Sequence, residues 1–413
     1  MNGKTPRSAP TQKYVARRNA IVEAASAILN RKGLKGMTLA DVGETFGMVA
    51  TGVAYYYPSK EDLSAACFLR ALEIFEQLIS QAAIHPAPDK RIRVLIRDYF
   101  WLRKRIAEGE MPPFAQFDDV RALGDEKILN GYVQMFRNMR ELLRPLLPAG
   151  ARRAELNART HLLVQQFLWV EAWLPKYDPD DYPRVADRVS DILLNGLGAG
   201  TRPWQPLPLS VVPARGPGDV QGSQSFLRAA TELINEIGYL GASVERIAAR
   251  LEVTKGAFYH HIDAKDDLVA ICFARTTEAV RSTQKTAARL EAEGYDRLSS
   301  ILISLVQHHF KGEMPLLRAA TVSLPEAIRR EVMNEYERNA VRFGSLLCEG
   351  NIDGSIRALD VQIAADMCNG VANGIGELPF FVPGPHDERT AESFVRPFFE
   401  GLISPLASDQ RPS

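Results

Sequence analysis

The chain has 413 residues, 46% of them hydrophobic and 24% charged, which describes a folded globular protein and excludes a disordered or fibrous one. Lys+Arg and Asp+Glu both total 50, so no overall positive field points to a nucleic acid, and any such binding must come from local placement of charge. The length asks for two or three domains, and the lack of an apolar signal core or a run of about 18 apolar residues predicts no membrane span and a cytoplasmic location.

Residues 1–16 read as a basic arm. From position 1 to 35 the cations Lys4, Arg7, Lys13, Arg17, Arg18, Arg31, Lys32 and Lys35 face a single acid, Glu23. A first helix follows, with Ile21, Ala24, Ala25, Ile28 and Leu29 on one stripe. Thr38 is placed to cap a second helix, with Asp41 completing a capping box. Gly47 then turns the chain, and a third helix starts near Ala50. Two short helices joined by a tight turn describe a helix-turn-helix, whose second helix enters the DNA major groove. Amphipathic stretches follow at roughly 63–84, 90–108, 125–145, 152–174 and 184–197, and no alternating pattern argues for a sheet. The fold class expected is all-α.

Residues 199–222 are dense in proline and glycine and cannot continue a helix, so they read as a linker with a maximum reach of about 75–80 Å. Beyond it the chain starts again. "MVATGVAYYYPSKEDL" at 48–63 returns 205 positions later as "VTKGAFYHHIDAKDDL" at 253–268, and the ungapped match runs from Ala24–Arg70 to Ala229–Arg275. "GEMP" recurs at 109 and 312, "LP" at 174 and 378, and Gly196-Leu197 as Gly401-Leu402. A nearly constant offset marks duplication and fusion of one unit of about 190 residues. In the second copy Ser243 caps, Glu252-Val253 turn, and Thr254 caps a helix from Lys255. Here residues 222–270 carry five basic and seven acidic side chains, so phosphate attraction should be lopsided between the copies.

These residues resemble the TetR family of transcriptional regulators: an alanine-rich first helix, a glycine before a Thr/Ser cap, and a small-aromatic recognition helix ending in a Lys-acidic-Leu run. The second copy fits closely. The first departs at Ala54, where the family and Tyr259 of the second copy have an aromatic ring. The resemblance is specific over about 50 residues of each copy and otherwise one of length and architecture. It implies recognition helices at 49–56 and 254–261, with contacts to double-stranded operator DNA from Ala50, Thr51, Tyr55 and Tyr56 and from Thr254, Lys255, Gly256, Tyr259, His260 and His261. Thr38, Ser243, Lys60 and Lys265 sit where the family commonly contacts phosphate.

The resemblance also implies a ligand pocket in the remaining helices and a four-helix pairing of the last two helices of each unit. Here one chain supplies both halves, a monomeric pseudo-dimer with residues 152–197 against 357–404. The resulting division is helix-turn-helix units at 17–64 and 223–269 and helical regulatory domains at 65–198 and 270–405. Trp101, Phe114, Phe117, Phe167, Trp169 and Trp173 are candidate pocket residues for an apolar or aromatic effector, an acyl-CoA type among the options, though rings at helical spacing also suit plain core.

Other readings stay open. A helical sensor with a degenerate second DNA-binding unit is one, and an enzyme without a recognisable motif is another. No GxSxG, phosphate loop, HExxH or Rossmann glycine set is found, so no catalytic residue is assigned. The cysteines Cys67, Cys272, Cys348 and Cys368 form no CxxC pair, and adjacent His260-His261 and His308-His309 point apart on a helix, so neither metal nor cofactor is expected.

Overall fold

The computed structural model describes residues 11–117, 120, 123–148, 150–211, 223–253, 264–311, 324–382 and 387–403. Among these the regular structure is helical, apart from an isolated antiparallel bridge between Gly198 and Ile356. No helix among them is long and apolar enough to cross a membrane. In the first copy α1 (Gln12–Gly36), α2 (Leu39–Glu44) and α3 (Ala50–Ala54) form a small head. The body is α4 (Lys60–Ala83), α5 (Pro88–Ala107), α6 (Glu126–Leu143), α7 (Arg153–Trp173) and α8 (Tyr182–Asn195).

The second copy repeats this order as α9 (Ser223–Gly241), α10 (Val244–Arg250), α11 (Lys265–Ala287), α12 (Gly294–Phe310) and α13 (Glu326–Ile352). It closes with α14 (Val361–Gly374), the one-turn α15 (Leu378–Phe381) and α16 (Glu388–Glu400). The second recognition helix lies outside the described residues, and with it Thr254, Lys255, Gly256, Tyr259, His260 and His261.

The duplication is written in individual bonds. The Cys67 thiol donates to the Val22 carbonyl at 3.6 Å, and 205 positions on Cys272 donates to Leu227 at 3.6 Å. Ser26 donates to the same Val22 oxygen at 2.8 Å, and Thr231 to Leu227 at 2.7 Å. Burial pushes the two thiols up, to about 12 for Cys67 and about 11 for Cys272, so both act as small core residues and not as nucleophiles.

Helices α7 and α8 pack against α14 and α16, giving the expected four-helix pairing inside one chain. The crossing of the two halves depends on Gly196 and Gly401, which stand 205 positions apart in sequence. Both have left-handed backbones, φ +70° and +93°. A Cβ on Gly196 would lie 2.3 Å from the Phe399 carbonyl oxygen, and one on Gly401 2.2 Å from that of Leu194. The close approach lets Leu197 N–H donate to Phe399 O at 2.9 Å and Leu402 N–H to Leu193 O at 2.8 Å. Neither a left-handed turn nor this spacing tolerates a side chain.

The pairing is symmetric in backbone and unequal in side chains. On α7, Gln165, Gln166 and Trp169 project at α14, which answers with Gly370 and Gly374. A Cβ on Gly370 would meet Trp169 Cδ1 at 2.8 Å, and one on Gly374 would meet Gln165 Cγ at 2.4 Å. Trp169 Nε1 donates to Asp366 O at 2.8 Å, and the buried Arg159 donates to Leu402 O at 2.6 Å. Desolvation pushes the Arg159 pKa down to about 10.

Instead of hanging free, the first part of the linker is docked. Leu207 and Leu209 N–H groups donate to Ser300 and Ser304 hydroxyls, one turn apart on α12, at 2.8 and 3.1 Å. Trp204 packs between Tyr295 and Phe399. The reach estimated from sequence therefore overstates the freedom of residues 199–211, because serines at helical spacing give their backbone donors a fixed partner.

Candidate nucleic-acid interface

The first head is built by short-range chemistry. Thr38 Oγ1 accepts from the Asp41 N–H at 3.1 Å, and the Asp41 carboxylate accepts from the Thr38 N–H at 2.9 Å. This is the capping box that starts α2. The Lys32 ammonium lies 2.6 Å from the other carboxylate oxygen, and Lys32 first and Thr38 second hold the Asp41 pKa below the ordinary range. Gly47 (φ +63°) reverses the chain, and the turn is tight because Gly43 lets Met48 approach. A Cβ there would sit 2.4 Å from Met48 O.

Helix α3 buries Val53, with Tyr57 buried just beyond it, and so turns its other face outward. Tyr55 is 72% exposed and Thr51 is exposed, while Ala50, Tyr56 and Lys60 are half-buried and Thr38 is exposed at the α2 N-terminus. Sequence reasoning missed Tyr14. Its ring lies 5.0 Å from Tyr56 and 6.0 Å from Tyr55, so the start of α1 props both tyrosines at the end of α3. Arg17 lies 4.8 Å over Phe46 and Arg18 5.1 Å over Tyr57. Arg17 and Arg18, two of the eight cations of residues 1–35, are thus packing residues of the head, and α1 begins at Gln12, inside the stretch read as an arm. The signal available was an aromatic three residues ahead of a cation pair, matched by aromatics just after α3.

The second head keeps the scaffold and spends its charge differently. Ser243 caps α10, accepting from the Arg246 N–H at 3.3 Å. Glu252 takes φ +57° at the position equivalent to Gly47. Arg250 is paired with Glu236 at 2.8 Å. Lys265 lies over the Tyr239 ring at 4.0 Å, and burial pushes its pKa down. The α1 and α9 helices touch, so the two heads stand side by side.

The aromatic residues considered for an effector pocket are dispersed or packed solid. Trp101 is 54% exposed on the outside of α5 with Arg105 over it at 4.9 Å, which removes it from any pocket. Phe114, Phe117 and Phe167 close around Phe75 with ring centroids 5.6–6.3 Å away. Trp169 belongs to the pairing of the halves. Phe167 and Trp173 border a void of only about 10 Å³. Beside this cluster Arg103 and Glu171 form a buried ion pair that also takes hydrogen bonds from Tyr99 (3.1 Å) and Gln116 (3.2 Å).

A capped helix-turn-helix on the first half, the capped first helix of the matching segment on the second, and a paired helical body, all in one chain, are the layout of a DNA-binding transcriptional regulator. The family model described as bacterial regulatory proteins, tetR family, matches residues 21–67 and again 226–271. The transposon Tn10 TetC protein of Escherichia coli is 24% identical over 152 residues, which is 36% of this chain and 74% of that protein. The HTH-type transcriptional repressor DhaR of Mycobacterium sp. (strain GP1) is 26% identical over 141 residues, 32% of this chain and 69% of that one. Among solved structures, a tetR-family regulatory protein from Rhodococcus RHA1 is similar at 21% identity and a TM-score of 0.38, over 44% of this chain and 98% of that chain. The chain carries the tetR family's DNA-binding unit twice, which supports a tandem tetR-type regulator.

Proposed function

We propose that this protein is a ligand-responsive repressor that reads an asymmetric operator through two unlike recognition helices, fixed in order by one chain. The observation that carries the reading is the four-helix pairing inside the chain, which holds both heads on one body. The segments presented are "ATGVAYY" and "KGAFYHH", in which Lys255 answers to Ala50, Tyr259 to Ala54 and His260 to Tyr55. A bidentate base contact discriminates by about 1–3 kcal/mol, so these exchanges change base preference in one half-site and not the other. The proposed division remains 17–64 and 223–269 for the heads and 65–198 and 270–405 for the regulatory domains. Repression as the sign of regulation is supported by the description of DhaR.

Selection from random DNA should return two different half-sites with centres about 34–36 Å, or a multiple, apart. Lys255→Ala should relax the base preference of one half-site alone. Lys60→Ala should weaken binding without changing preference and lower the salt dependence, while Lys265→Ala, whose ammonium already rests on Tyr239, should do so less. A perfect palindrome, or equal relaxation of both halves by Lys255→Ala, removes the proposal. Effector binding acts by favouring another spacing of the heads, with a coupling of about 1–3 kcal/mol, or 5- to 150-fold in operator affinity.

A further inference from the structure

The first helix of the first head does more than fill its core. Tyr14, Arg17 and Arg18 stand at i, i+3 and i+4 and extend the face that buries Ile21 and Ala25. All three reach the turn or the end of α3. Tyr14 meets Tyr55 and Tyr56, Arg17 lies over Phe46, and Arg18 lies over Tyr57. Arg17 Nη2 also lies 3.5 Å from Met48 Sδ, and Met48 closes over Gly52 of α3, where a Cβ would meet its Cε at 2.8 Å. The turn that carries Tyr14 is itself capped, since Thr11 Oγ1 accepts from the Tyr14 N–H at 3.3 Å. In the second copy the residues 205 positions after Gln12, Lys13 and Tyr14 are Pro217, Gly218 and Asp219, so the repeat supplies no ring there.

Three rings meet at this corner. Tyr14 and Tyr56 are tilted by 31° with centroids 5.0 Å apart, and Tyr55 stands edge-on to both, at 81° to Tyr14 and 88° to Tyr56. Edge-to-face and offset pairs are favoured arrangements of aromatic rings, so each ring limits the rotamers of the other two. The restriction matters most for Tyr55, which is exposed and would otherwise sample its rotamers in solvent. A side chain ordered only on binding gives up conformational freedom at that moment, and one already held gives up less. The second head uses a ring differently, with Tyr239 under the Lys265 ammonium.

We infer that Tyr14 is a positioning residue for operator reading: it holds Tyr55 and Tyr56 of the first head in one arrangement before DNA arrives, and it does so for one half-site alone. The inference rests on the operator reading above, in which Tyr55 and Tyr56 face DNA, and it adds a residue of the first helix to which that reading gives no part.

Fluorine NMR of the full chain labelled with 3-fluorotyrosine tests the cluster without DNA. The Tyr55 and Tyr56 signals, assigned by their loss in Tyr55→Phe and Tyr56→Phe, should both move in Tyr14→Ala. On the operator returned by selection, Tyr14→Ala should weaken binding about 3- to 10-fold, the range one aromatic contact spans, and relax the same half-site that Tyr55→Ala relaxes. Tyr14→Phe should bind as the wild type does. Once Tyr55→Ala and Tyr56→Ala are in place, Tyr14→Ala should cost nothing further, which a loss through general destabilisation would not obey. Tyr14→Leu keeps an apolar side chain on α1 without a ring, and should bind DNA as Tyr14→Ala does while unfolding at the wild-type midpoint. Overturning results are unmoved fluorine signals, wild-type affinity in Tyr14→Ala, equal relaxation of both half-sites, or a loss in Tyr14→Phe equal to that in Tyr14→Ala, which would make the hydroxyl a contact in its own right. A wild-type chain that selects no DNA sequence at all would remove the operator reading and the inference with it, an outcome distinct from each of these.

Discussion

Phe75 and Val280 occupy the same place in the repeat, and the regions around them have diverged in opposite directions. In the first body four phenylalanines and Tyr99 close the space between helices, and a buried Arg103–Glu171 pair occupies its polar end. In the second, Val280 stands in place of the ring, and Arg275, His308, Asn369 and Asn373 are among the described residues around a cavity of about 50 Å³. The heads diverge in the same way on an unchanged scaffold. Lys60 ends a turn that carries exposed Tyr55, while Lys265 is drawn onto Tyr239 and Arg250 onto Glu236. A duplicated fold can hold its backbone, down to single hydrogen bonds, while individual side chains divide the work between copies.

The largest effect should come from the closed half. Arg103→Leu leaves Glu171 buried without its cation and should cost about 3–5 kcal/mol in urea unfolding, whereas Arg103→Leu with Glu171→Leu should recover most of it. A small loss in the single variant would show the pair to be dispensable and the comparison with the second body mistaken.

Gly401→Val and Gly196→Val both force a side chain into the opposite backbone and should cost about 3 kcal/mol each. If one is tolerated, the crossing of the halves is less symmetric than its geometry. The two are best compared by the shift in urea midpoint.

Asp41→Asn should cost about 1 kcal/mol through the α2 cap. Because Lys32 and Thr38 lower the folded Asp41 pKa below its unfolded value of about 3.9, the contribution is present above that pH and lost on acidification through the folded pKa. The stability gap between wild type and Asp41→Asn should therefore narrow from pH 5 downward. A gap that widens on acidification would contradict the assignment.

The smallest effect is a gain. Glu252 holds a left-handed backbone where the first copy has Gly47, so Glu252→Gly should stabilise the chain by about 0.5–1 kcal/mol and Gly47→Glu should cost at least as much. Opposite signs in thermal unfolding would confirm that both turns share one geometry.

Much of this was legible in advance. The helices at roughly 63–84, 90–108, 125–145, 152–174 and 184–197 lie within a few residues of α4–α8, because amphipathic spacing is a local signal. The capping box at Thr38 and Asp41 was readable for the same reason. The pocket was not. Trp101 and Phe117 look alike in a helical pattern, yet one is exposed and the other 3% exposed in the cluster. Spacing names a face of a helix, and only its neighbours decide whether that face is solvent, core or cavity. Tyr14 was missed because its partners, Tyr55 and Tyr56, lie about forty residues away in sequence.

The sequence by itself determined the all-α class and the duplication, while the pairing of the last helices was what its family resemblance implied. Periodicity, caps and a constant offset are properties of the chain as a string, and short-range physics enforces them. Tertiary structure decided how the described residues of each half are packed and how the two halves are keyed together. Those outcomes depend on whether a ring at Phe75 or a methyl at Val280 meets the helix opposite, and on Gly370 and Gly374 leaving room for Trp169 and Gln165. Close packing makes such differences of a few atoms decisive, and they exist only once distant segments are brought into contact.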